Sequence, residues 1–89
     1  MESVRWLYSK HFAAVAGDAQ GFEAWPFPPE FCLHEWLLVH WGTPIGELWN
    51  LEGLSKACAE ANRWSFFFTS APLNVEGGVA APPSAIAVL

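Results

Sequence analysis

The sequence predicts an α/β fold, with α+β as the alternative, in which three helices pack on a mixed sheet. Three observations lead there. Apolar residues recur at helical spacing in three separate stretches. Short continuous apolar runs, bounded by glycine and proline, lie between and after them, as buried strands do. The resulting order is helix, strand, helix, short strand, helix, strand, strand, which is the pattern of layered mixed proteins.

Ser3 can cap a first helix whose stripe is Val4, Leu7, Tyr8 and His11. "FAAVAGD" follows, stopped by Gly17-Asp18, and reads as a buried strand. In "AQGFEAWPFPPE" three prolines remove backbone donors and push their neighbours toward extended conformations, so this stretch is loop. Pro29 and Glu30 suit the first turn of a second helix, which runs to Trp41 and is stopped by Gly42 and Pro44.

"IGELW" is short and extended. Asn50 can cap a third helix with Glu52 in its first turn and the stripe Leu51, Leu54, Cys58, Ala61; Asn62 and Arg63 suit its end. "RWSFFFTSAPL" is the strongest strand signal, its aromatic run too continuous for a sheet with one wet face. "NVEGGVAAPP" is loop with a hairpin tip at Gly77-Gly78, and "SAIAVL" is a last apolar strand.

With 89 residues, the chain is expected to form one partial domain over 1–89. Hydrophobic residues make up 53% and charged residues 15%, the latter well below the usual share of about 25%. A small domain must cover much of its outside with polar groups. These residues are therefore expected to belong to a larger core or to assemble with other chains, as a homo-oligomer, over an apolar face.

The net charge is −5 and no basic cluster exists, which argues against nucleic acid as a partner. No apolar run reaches the roughly 18 residues of a membrane span, and "MESVRWLYSKH" lacks the layout of a secretory signal. The expected compartment is the cytoplasm, with no membrane partner. Cys32 and Cys58 are not a close-spaced metal pair; they read as small apolar fillers of a reducing compartment, with a disulfide left open.

Chemistry concentrates in "LHEWLLVHWGTPIGELWNL". On a wheel of 100° per residue, Trp41 and Leu38 lie about 20° and 40° either side of His34, so the imidazole is expected to point inward. Glu47 follows the Gly-Thr-Pro-Ile-Gly turn. Three readings stay open: a core histidine bonded to a carbonyl, a His34–Glu47 ion pair that holds the turn, or two ligands of a divalent metal, each bonded at about 2.0–2.2 Å. Two ligands fall short of the three that a catalytic zinc uses, and His11 is distant in sequence.

No nucleophile elbow, phosphate loop or dinucleotide glycine pattern is present. Trp64, Phe66, Phe67 and Phe68 read as core. Trp25 and Phe27 read equally as pocket walls or as pins for their loop.

"WLYSKHFAAVAGDAQGFEAWP", "LHEWLLVHWGTPIGELWNLEGL" and "RWSFFFTSAPLNVEGGVAAPPSAIAVL" resemble, in order, the C-terminal part of the cyclase family. That family includes the metal-dependent kynurenine formamidases (arylformamidases), and the likeness is nearest to its fungal-type branch. The resemblance implies a partial swivelling β/β/α domain and hydrolysis of amide-type C–N bonds in a small-molecule substrate. In the family a histidine opening a His-x-x-Leu-Leu helix and a glutamate in a following extended segment help bind a catalytic zinc or manganese. His34 with Leu37-Leu38 matches the first. Glu47 with Leu48, Asn50 and Leu51 resembles the second.

Their separation looks one residue longer than in bacterial formamidases, an excess the Thr43-Pro44 turn is expected to absorb. The family's other ligands and its catalytic histidine lie in an N-terminal His-x-Gly-Thr-His-x-Asp-x-Pro-x-x-His-like motif, which this sequence does not contain. No catalytic residue is therefore assigned here. The chain is expected to be a C-terminal fragment of such a hydrolase, contributing part of the metal site and inactive alone. The alternative is a non-catalytic apolar half-domain that acts by assembly.

Overall fold

In the computed structural model, which describes residues 1–89, helix α1 spans Glu2–Lys10. Glu2 in the first turn and Lys10 in the last suit the two ends of the helix dipole. Met1, not Ser3, holds the capping position. His11 ends the helix in the left-handed region (φ 55°), where its N–H reaches Tyr8 O at 3.2 Å. Of the expected stripe, Val4 is the buried member.

The chain divides into two compact units, Met1–Leu51 and Glu52–Leu89. In the first, β1 (Val15–Ala16) pairs in parallel with β2 (Ile45–Gly46). Backbone bonds extend the pairing: Gly17 N–H to Gly46 O at 3.0 Å, Trp49 N–H to Gly17 O at 3.1 Å, and Leu48 N–H to Ala19 O at 3.0 Å. Parallel strands need a long crossover. Here the crossover carries both the proline-rich loop and the second helix. A side chain at Gly46 would have to displace the Trp49 indole, which occupies the space where a β-carbon would stand.

The second helix differs from its expectation. A turn closes at Phe31 N–H to Pro28 O (3.1 Å), and helical geometry starts only at Leu33. Glu35–His40 is a π-helix, its wide turn shown by Trp41 N–H bonding Trp36 O at 3.1 Å. A π-turn holds more residues than an α-turn, so a 100° wheel misplaces its side chains. Leu37 is 1% exposed and forms the core, while Leu38, its wheel neighbour on the face of His34, is 47% exposed.

In the second unit, α2 spans Glu52–Ala61 with Cys58 buried. Asn62 takes the left-handed conformation (φ 48°) and bonds Ala59 O, while Arg63 N–H bonds Cys58 O. These two bonds are the paired C-terminal closure that asparagine can adopt in place of glycine. Strand β3 (Phe67–Ala71) pairs antiparallel with β4 (Ser84–Val88), from Phe67 opposite Val88 to Ala71 opposite Ser84.

Helices with small sheets make the class α+β in the mixed sense. Two separate two-stranded sheets, one parallel and one antiparallel, stand where a single mixed sheet with three helices was expected. Every residue of β3 is exposed, and Trp64 lies open at 70%, against the expectation of a buried aromatic run. Two strands alone cover neither of their faces. Both cysteines are free. No helix is long and apolar enough to cross a membrane.

Candidate functional site

The site is built where the parallel pair ends. Glu47 directly follows β2, and the bond from Leu48 N–H to Ala19 O fixes the backbone beside it. The carboxyl end of parallel strands is where open α/β sheets tend to hold ligands. His34 sits just before the π-helix, in helical backbone at the end of the proline-rich loop. The crossover therefore returns the histidine to the glutamate at the strand end.

The structure brings the two residues together: His34 Nε2 lies 3.0 Å from Glu47 Oε1. The same oxygen accepts the Phe22 N–H at 2.7 Å, which aims the carboxylate. The other ring nitrogen is engaged as well. His34 Nδ1 lies 2.9 Å from Glu23 Oε1, which also accepts the His34 backbone N–H at 2.6 Å and the Cys32 thiol at 3.1 Å. Glu23 is the more protected carboxylate, its side chain 11% exposed against 32% for Glu47.

The imidazole is thus strung between two acidic groups. Its hydrogen bond to Glu23 raises its pKa above the ordinary 6.5; burial opposes this, and the negative charge of Glu47 adds to the rise. For Glu23, burial alone would push the carboxyl up. The hydrogen bonds from His34 and Cys32 together outweigh it and hold the group below its ordinary 4.5. Both ring nitrogens face acceptors, so the imidazolium is the form that satisfies the arrangement.

Glu23, Cys32 and His34 form a group that could hold a metal ion, their ligand atoms all within 4.8 Å of one another. The His34–Glu47 edge also has suitable dimensions. In a tetrahedral site with bonds of about 2.1 Å the donor atoms stand about 3.4 Å apart, so a small widening of the 3.0 Å separation admits an ion. The inward-pointing histidine expected from the wheel is only partly enclosed, with a third of its side chain exposed. That opening faces a cavity of about 510 Å³ whose walls include Trp25 and Phe27. Their rings meet edge-on at 5.7 Å. Trp25 is 85% and Phe27 40% exposed, so the two aromatic residues that sequence left undecided border an open cleft.

His11 and His40 stand apart from this group, and line a different cavity of about 460 Å³ with Tyr8 and Trp41. His40 packs on Trp36 at 4.8 Å and lies 3.8 Å from Glu35. Sequence reasoning missed Glu23 and the part played by Cys32. The available signal was a lone carboxylate between Phe22 and Trp25 in a loop otherwise free of charge up to Glu30. Comparison of the chain with protein-family models, with curated proteins and with solved structures finds no match.

Proposed function

We propose that this chain carries part of the metal site of a cyclase-like, arylformamidase-type hydrolase that cleaves amide-type C–N bonds of small molecules. The observation that carries the reading is the 3.0 Å approach of His34 Nε2 to Glu47 Oε1, both of which line a cavity that Trp25 and Phe27 border. A neutral imidazole and a carboxylate are a normal donor set for zinc or manganese. A bound divalent ion supplies Lewis acidity and a water whose pKa is lowered toward ~7.

The chain's own residues then have distinct tasks. His34 presents Nε2 after giving up the proton it shares with Glu47. Glu47 presents Oε1, held in line by the Phe22 N–H. Trp25 and Phe27 narrow the cavity beside the pair, and their faces suit a small planar amide substrate. A catalytic zinc normally uses three protein ligands, so further donors, and the acid that protonates the leaving nitrogen, are assigned to a complementary polypeptide segment.

A second reading has its own support. β3 carries Phe67 and Phe68 exposed, at 69% and 45%. Such a surface fits a half-domain that acts by assembly with a copy of itself or with a partner, without catalysis.

Metal analysis of the purified chain, followed by an arylformamide hydrolysis assay with and without added zinc or manganese, tests the first reading. Bound metal, with turnover restored by a segment carrying the histidine-rich motif, is the expected result. A chain that takes up no metal under any of these conditions returns His34 and Glu47 to a plain ion pair.

A further inference from the structure

The two carboxylates on His34 are not equivalent. Glu23 Oε1 accepts three donors, from the Cys32 thiol, the His34 backbone and the His34 ring. All three approach one oxygen, and the side chain is 11% exposed. An oxygen so occupied is already committed to orienting its neighbours. Glu47 accepts one backbone donor besides the ring and is 32% exposed, although both carboxylates line the cavity with His34.

We infer that Glu23 is a positioning residue: it holds the proton on His34 Nδ1 and locks the ring, so that Nε2, the nitrogen facing Glu47, is the one presented to a metal. The inference rests on the metal reading of His34 and Glu47 and deepens it. Bonding both the backbone N–H and the ring N–H of one residue fixes that side chain's χ angles as well as its tautomer. A carboxylate behind a ligating imidazole also makes the ring a better donor. Cys32 serves as a thiol donor that keeps the Glu23 oxygen in place, rather than as a ligand. The rival assignment puts the ion among Glu23, Cys32 and His34 Nδ1, on the opposite edge of the ring.

Three measurements on the full chain decide between them. In zinc competition titrations, Glu23→Gln keeps an acceptor for both N–H groups but removes the charge, and is expected to lower zinc affinity about 10–100-fold. Unchanged affinity overturns the inference. In the cobalt-substituted chain, the absence of a thiolate charge-transfer absorption is expected; its presence, abolished by Cys32→Ser, places the ion on the rival edge and overturns it. Nitrogen NMR of the metal-free chain, at a pH where His34 is neutral, should show Nδ1–H in the wild type and a shift toward Nε2–H in Glu23→Gln. Nε2–H in the wild type overturns the inference. If the wild type binds neither ion, the metal reading fails, and the tautomer alone decides whether Glu23 positions the ring.

Discussion

His34 Nε2 and Glu47 Oε1 stand 3.0 Å apart although thirteen positions separate them in sequence. A helix with an irregular wide turn, a glycine-proline bend and a two-residue strand lie between them. Bringing this pair together depends on the parallel register of β1 with β2, because Glu47 leaves that register one residue after Gly46. The parallel pair and the crossover between its strands thus both have a consequence at the site.

Replacement of either residue should remove bound metal. Losing an outer-shell partner costs about 10–100-fold in metal affinity, so loss of a direct ligand is expected to exceed about 100-fold. His34→Ala and Glu47→Gln, assayed for zinc affinity, should both show it. Undiminished occupancy in both variants removes them from the ligand set.

Zinc uptake should release a proton. His34 is held protonated above its ordinary range by the hydrogen bond to Glu23, with the charge of Glu47 contributing, whereas a ligating imidazole must be neutral. Near neutral pH, calorimetric binding enthalpies should therefore vary with the ionisation enthalpy of the buffer. Affinity should rise with pH. Enthalpies that do not depend on the buffer would show that no proton leaves.

Without metal, the stability of the first unit should be greatest in mildly acidic solution. The raised pKa of His34 contributes stability that is full below its ordinary 6.5 and is lost as pH climbs through the raised value. The lowered pKa of Glu23 contributes stability that is full above its ordinary 4.5 and is lost as pH falls through the lowered value. Between those two ordinary values both contributions are present. Urea midpoints across pH, compared with those of His34→Asn, check this; identical profiles for the two proteins would contradict it.

Two substitutions probe the frame. Leu37→Ala removes the most deeply buried side chain and should cost about 2–5 kcal/mol. Gly46→Ala drives a methyl into the Trp49 indole, and should loosen the strand end that carries Glu47. Its zinc affinity should fall along with its thermal midpoint. A Gly46→Ala protein with the parental midpoint would mean that Trp49 moves aside freely.

The antiparallel ribbon should drive self-association of the isolated chain. Phe67, Ile86 and Val88 are 69%, 64% and 53% exposed, and the register puts them on one face. Sedimentation should show species larger than a monomer. Phe67→Lys should reduce them while leaving helical circular dichroism unchanged. A monodisperse wild-type monomer would argue against assembly through this face.

Local chemistry was legible in the sequence, and long-range burial was not. Val4 as the buried member of its stripe, the asparagine closure at Asn62, the extended Ile45-Gly46 that opens "IGELW" and the final strand all follow from spacing and turn residues, which act within a few positions. His34 and Glu47 were legible as polar residues in apolar surroundings. Glu23 was not, because it lies in a loop with no periodicity, and its partners are fixed by the returning crossover. The aromatic stretch at β3 was read as core because continuous apolar strands usually are; only coordinates reveal whether a second layer covers them.

The π-turn of Glu35–His40 bears on the one-residue surplus between His34 and Glu47 that the proposed kinship with bacterial formamidases implies. A turn closed by a bond spanning five residues holds one more amino acid within that bond than an α-turn does, with little change in its path to the next strand. The bulge can therefore house an insertion that the Thr43-Pro44 bend was expected to accommodate. Excising exposed Val39 should tighten the segment into ordinary α-geometry and leave the histidine and the glutamate facing each other at the shorter spacing.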